Sequence, residues 1–264
     1  MALSKKVQEM LAAARVTSTE EMEGLGSGVP RISLKKSRFT LKNGADEEKM
    51  GEELDIVILN ISPAHGFVHT YYEEGYSPGV AEAPDCVSLD GISPLSTSAN
   101  PVSDRCVTCP MQVWGSAKSM SGGKAKACKD SKHLYAKLAD QLDDPDAPIY
   151  LLNVTILSLK AFGRYGKELA KDDIPSPVLV ITHLEFDDNQ SVPVLTFKSL
   201  GLMDDDNCEL AIEQSAAHGK ELQLALASNK PPAQKAIASE PEQTTSEPKP
   251  EATDADMTSA VKDW

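Results

Sequence analysis

The chain has no apolar run near the roughly 20 residues needed to cross a bilayer. Its first residues lack the apolar core and small-residue cleavage site of a secretory signal. Both absences point to a cytoplasmic protein with no membrane partner. No internal repeat is found, so nothing suggests a stacked array. Cations are the scarcer charge: 26 Lys and Arg against 40 Asp and Glu give a net charge of −14. As a total, that argues against a polyanionic partner, but a nucleic acid meets the local field, so distribution decides. Catalytic motifs are also missing. A P-loop needs Gly-x4-Gly-Lys-Ser/Thr, whereas Lys124 is followed by Ala125 and Lys118 holds the earlier glycine position. A zinc deaminase needs His-x-Glu upstream of Pro-Cys-x-x-Cys, whereas His183-Leu184-Glu185 lies downstream and Pro110 follows the cysteines. No paired-carboxylate signature stands out, so the reading is non-enzymatic, with no catalytic residue.

What is present suits a globular body: 264 residues, 41% hydrophobic and 25% charged. Residues 1–28 read as a short amphipathic helix (Leu3, Val7, Met10, Leu11, Ala14) and a linker. Residues 29–228 read as the main domain, mainly β with flanking helices. Ile32, Leu34, Phe39 and Leu41 alternate with polar residues around a Lys-Lys-Ser turn, predicting a hairpin that ends at Asn43-Gly44. The β-branched run Leu54 to Ile61 predicts a central strand buried on both faces. Residues 62–131, rich in Gly, Pro, Ser and Cys, read as an ordered loop that needs its own support. Strands are predicted at 133–138, 148–154, 178–186 and 192–197, and a helix at 157–170. A last helix starts near Asp204 to Asp206 and breaks at Gly219. Beyond Asn229 little can be buried, and 229–264 reads as a disordered tail.

Four of the five cysteines, Cys86, Cys106, Cys109 and Cys128, lie within residues 86–128, and Cys106-Val107-Thr108-Cys109 is a C-x2-C knuckle. In reducing cytosol, metal binding is the better use of such a set than disulfides. Four thiolates suit tetrahedral Zn²⁺ and leave no open position, so the site is structural and would brace an insertion over about 84–130. His133 could replace one ligand. The plainer alternative is four free buried thiols. Cys208 reads as packing.

Around the ligands the charge balance reverses. Arg105, Lys118, Lys124, Lys126, Lys129, Lys132 and Lys137 face only Asp104 and Asp130. Gly122-Gly123 beside Lys124 would let amides and an ammonium approach phosphates, with Trp114 as a stacking surface. The bland alternative is a solvated loop. Phe67, His69, Tyr71, Tyr72 and Tyr76 form an aromatic cluster that either stacks unpaired bases or packs the sheet. The nucleic-acid contacts expected are therefore Arg38, Tyr71, Tyr72, Tyr76, Trp114, Lys124, Lys126 and Lys129.

Pro30-Arg31-Ile32-Ser33 through Phe39, Pro84 to Gly91, Cys106 to Trp114-Gly115-Ser116, and Gly123-Lys124-Ala125-Lys126-Ala127-Cys128-Lys129 resemble bacteriophage single-stranded DNA-binding proteins. The resemblance covers roughly residues 28–200. It implies an oligonucleotide/oligosaccharide-binding (OB) barrel with a zinc-held insertion, coating of single-stranded DNA, and a C-terminal tail that recruits replication or recombination proteins. The tail departs from the common pattern: Ala260-Val261-Lys262-Asp263-Trp264 has one acid and ends in Trp. The competing reading is a zinc-stabilised phage adaptor that binds a polymerase or other replication partner without strong DNA affinity.

Overall fold

The computed structural model describes residues 29–75, 83–119, 122–190 and 192–228. They fall within the first of two compact units, Met1–Pro231; the second, Pro232–Trp264, lies outside the described residues, as do the expected N-terminal helix and the tail.

Alternating apolar residues make the opening hairpin, β1 (Arg31–Lys35) and β2 (Arg38–Asn43), with Ile32 opposite Leu41 and Leu34 opposite Phe39. Lys36 and Ser37 turn it with φ of 51° and 57°, the left-handed pair that a tight two-residue hairpin requires. After Asn43-Gly44 the chain does not leave the sheet but pairs again as β3 (Asp46–Lys49). Next come β4 (Leu54–Ser62), β5 (Val68–Tyr71) and β6 (Cys86–Ser88), then the short hairpin β7 (Ala117–Lys118) and β8 (Lys124–Ala125). The remaining strands are β9 (Lys129–Leu138), β10 (Tyr150–Thr155), β11 (Val180–Phe186) and β12 (Leu195–Leu202). Two helices, α1 (Ile156–Lys171) and α2 (Asp205–Ser228), flank them. No helix among the described residues is long and apolar enough to cross a membrane.

The large sheet runs β12-β11-β4-β9-β10-β1-β2-β3, with β5 added to β9 and β6 to β5. Its pairs are antiparallel except β1 with β10. The sheet curls into a half-barrel, and among the described residues β12 and β3 end the strand order unpaired with each other. The expectation of a mainly β protein with flanking helices holds at this level.

β4 is buried on both faces, as its apolar run predicts. Ile56 and Ile58 join Ile32, Phe39, Leu134, Leu152, Leu184 and Leu195 in the main core, closed by Tyr165 and Leu169 of α1. Val57 and Leu59 face the other way, into a smaller core with Val178 and Ala211 of α2. α2 runs through Gly219 without the expected break, and Ser215 and His218 bond to Asn60 of β4 at this point.

Candidate functional site

The segment expected to be an ordered loop needing its own support is organised around β5 and β6. Tyr71 pairs with Cys86 in register, which sets the first cysteine at a strand end. Cys106 N–H donates to Ile92 O (2.9 Å), Cys109 N–H to Cys106 O (3.1 Å), and Cys128 N–H to Met111 O (3.0 Å). Backbone bonds thus draw four separate stretches together. Gly91 is required here: its φ is +72° and a Cβ would lie 2.6 Å from Phe67 O.

Cys86, Cys106, Cys109 and Cys128 all line one cavity of about 10 Å³, with His69, Tyr71 and Gln112 among its other walls. That volume admits about one water-sized occupant, far less than the roughly 300 Å³ at which small-molecule sites begin. Burial pushes the Cys86, Cys106 and Cys128 thiols up, Cys128 to about 12, and neighbouring thiols add to the rise. A divalent cation would reverse this, because thiolate is the ligand form. No three of these sulfurs lie within 4.8 Å of one another; among the described residues that spacing is met by Glu53, His183 and Glu185. The cysteines therefore surround one ion-sized space without standing at ligand spacing. His133 is not among the cavity's walls; the histidine there is His69.

A polar network backs the cavity. Asp130 is buried, its Oδ1 3.0 Å from His69 Nδ1 and its Oδ2 2.5 Å from Lys126 Nζ. Gln112 Nε2 lies 2.6 Å from the same histidine nitrogen, and Lys126 Nζ also donates to Gln112 Oε1 (3.1 Å). Burial pushes the Asp130 carboxyl up, but the bonds from His69 and Lys126 outweigh it and hold it at about 2. Lys126 is thus a structural cation beside the thiols.

Three more lysines of the basic island bond backbone carbonyls. Lys129 Nζ donates to Lys126 O (2.8 Å), Lys132 Nζ to Pro63 O (2.5 Å), and buried Lys137 to Asp144 O (2.6 Å). Lys129 stays exposed, as does Arg105. Lys118 and Lys124 are exposed and face each other across β7 and β8. Gly115 N–H donates to Ala125 O (3.0 Å) at the hairpin base, which leaves Trp114 beside it 69% exposed. Ser116 Oγ donates to Met111 O (3.0 Å) and accepts from Ala127 N–H (2.9 Å), so the hairpin is tied to the cysteine-bearing chain.

The other expected contacts are scattered. Tyr71 lines the cysteine cavity, and Tyr76 lies outside the described residues. Tyr72 sits near enough to Arg31 to act on its charge. Arg38 is exposed and pairs with Glu52 at 3.7 Å.

Sequence reasoning did not single out Arg31, Gln112 or Glu53, and saw His183 and Glu185 only as a misplaced motif. His183 opposes Asp55 across β11 and β4; its Nδ1 is 2.5 Å from Asp55 Oδ1 and its Nε2 3.0 Å from Glu185 Oε1. With Glu53 this makes a partly exposed group with metal-ligand chemistry. No signal in the sequence reveals the strand register that assembles it. Comparisons with protein-family models, curated proteins and solved structures give no match to this chain.

Proposed function

We propose that this chain is a non-enzymatic single-stranded DNA-binding protein of phage DNA replication or recombination. The observation that carries the reading is the β7–β8 hairpin, where Lys118 and Lys124 are exposed register partners and Trp114 stands exposed near the hairpin base. A bare indole is costly to leave in water, and with two cations on the same short hairpin it suits an unpaired base with its phosphates. The curled sheet beneath is compatible with an OB-like domain, and the motif resemblance supports the same class.

In this reading Cys86, Cys106, Cys109 and Cys128 hold one structural Zn²⁺. When bound, the ion supplies folding energy to a segment with little core of its own. Four cysteines around an ion-sized cavity supply that donor set, and their sulfurs would draw closer than they stand here to ligate the ion. The hairpin inherits this support through Ser116.

A second reading is the phage adaptor. It is favoured by Ile92, Val107 and Val113, which are 59%, 80% and 61% exposed on the same segment and offer an apolar surface to a protein.

Titration of the full chain with labelled oligo-dT across salt separates the two. The DNA reading predicts binding at low salt that weakens steeply as salt rises. It also predicts that Trp114→Ala weakens binding about tenfold, as loss of one stacked base would. No binding at low salt, with intact melting behaviour, would overturn the DNA reading and favour the adaptor.

A further inference from the structure

On the face opposite the main core the sheet carries a cation with no counter-charge among the described residues. Arg31 of β1 stands in register with Leu151 of β10, Leu151 with Tyr135 of β9, and Tyr135 with Asn60 of β4. Residues directly opposite across strands share a face, so Arg31, Tyr135 and Asn60 lie along one row. On the α2 side the row meets the helix: the Tyr135 ring lies tilted against His218 with centroids 4.8 Å apart, and His218 bonds Asn60. At the β1 end no helix among the described residues covers it, and Asn153 and Thr155 of β10 stand exposed on the same face.

Arg31 itself is partly buried. Its Nε is shut off from solvent and has no hydrogen-bond partner among the described residues. No carboxylate pairs with it there, whereas the nearby cations are matched: Lys35 and Lys42 each lie 3.2 Å from Glu47, and Arg38 pairs with Glu52. The groups that act on Arg31 electrostatically are the phenols of Tyr72 and Tyr135. His133 shares the face; burial and the Arg31 charge keep it neutral, near 4. A guanidinium taken partly out of water without a counter-charge is costly, and an arriving anion removes that cost.

We infer that Arg31 is a phosphodiester-binding residue for single-stranded DNA, with Tyr72 and Tyr135 as its aromatic flanks. This inference rests on the DNA-binding reading and adds to it a second contact point, on the open sheet face. The planar fork of arginine suits a phosphate, and phenol rings suit the base beside it.

The test uses the full chain, labelled oligo-dT and a salt series on wild type, Arg31→Met, Arg31→Lys and the control Lys167→Met. Lys167 is exposed on α1, the helix that packs on the main core. Arg31→Met is expected to melt at or above the wild-type temperature, since it removes an unpaired charge. It should bind about tenfold or more weakly, with a salt slope shallower by about 0.7, the loss of one single-strand phosphate contact. Arg31→Lys should keep the slope and recover part of the affinity, and it carries the test should the Met variant not fold. Lys167→Met should match wild type. Wild-type affinity and slope in Arg31→Met, or in Arg31→Lys if only that variant folds, would overturn this inference alone. A wild-type chain that binds no oligonucleotide would overturn the DNA reading together with it.

Discussion

Asp130 and His133 lie three residues apart on β9 and respond to acid in different windows. Asp130 is held at about 2, below its ordinary 3.8. Its contribution is complete above about pH 4 and lost as pH falls toward 2. His133 is depressed to about 4 from 6.5, so between those values the unfolded chain binds a proton that the folded chain does not. Stability therefore falls as pH drops from 6.5 to 4. His183, raised by its bond to Asp55, acts with the opposite sign, so a difference curve is needed to isolate His133. Thermal melts of wild type and His133→Gln should show the wild-type advantage shrinking from pH 7 to pH 4.5; parallel curves would refute the assignment. At this scale the cysteines were legible because C-x2-C spacing carries its own chemistry. Lys126 and Arg31 were not: one depends on buried Asp130, the other on β1 pairing with β10 from the far half of the chain.

α1 and β11 meet through a single buried polar contact, Tyr165 Oη to Thr182 Oγ1 at 2.7 Å. Both residues are almost fully buried. Tyr165→Phe should cost about 1–2 kcal/mol, because the threonine hydroxyl loses its partner out of reach of water. Adding Thr182→Val should cost less than the sum of the two single changes. Denaturant melts of the cycle measure this, and strict additivity would contradict the contact. Elements with strong periodicity were readable: the β1–β2 hairpin, β4, and α1, which starts one residue before its expected place. β5 and β6 were missed because four- and three-residue strands have too little pattern, and only the pairing of β5 with β9 and of β6 with β5 defines them. The helix break expected at Gly219 fails for a local reason. The glycine lies against Asn60, where a Cβ would come 3.3 Å from Nδ2, so its lack of a side chain serves close packing.

The whole chain carries a net charge of −14, yet its two proposed DNA contacts are cationic points on an otherwise acidic body. Such a body would repel a strand at distance and hold it only where Trp114, Lys118 and Lys124 or Arg31 engage, so the salt slope counts those few phosphate contacts. Shortening the chain after Asn229 removes a largely polar stretch and should leave the melting temperature unchanged; a large fall would show that the tail belongs to the folded body. The mainly β architecture was visible in the alternation of apolar residues. The open strand order was not, since closure depends on which edges pair.

The claim on which the rest depends is that Cys86, Cys106, Cys109 and Cys128 close on one ion and so brace the hairpin. Elemental analysis of the purified chain, with melts before and after chelation, tests it most directly. The account predicts about one zinc per chain and a lower melting temperature once the metal is removed. A metal-free protein that melts at the same temperature with and without chelator would contradict it.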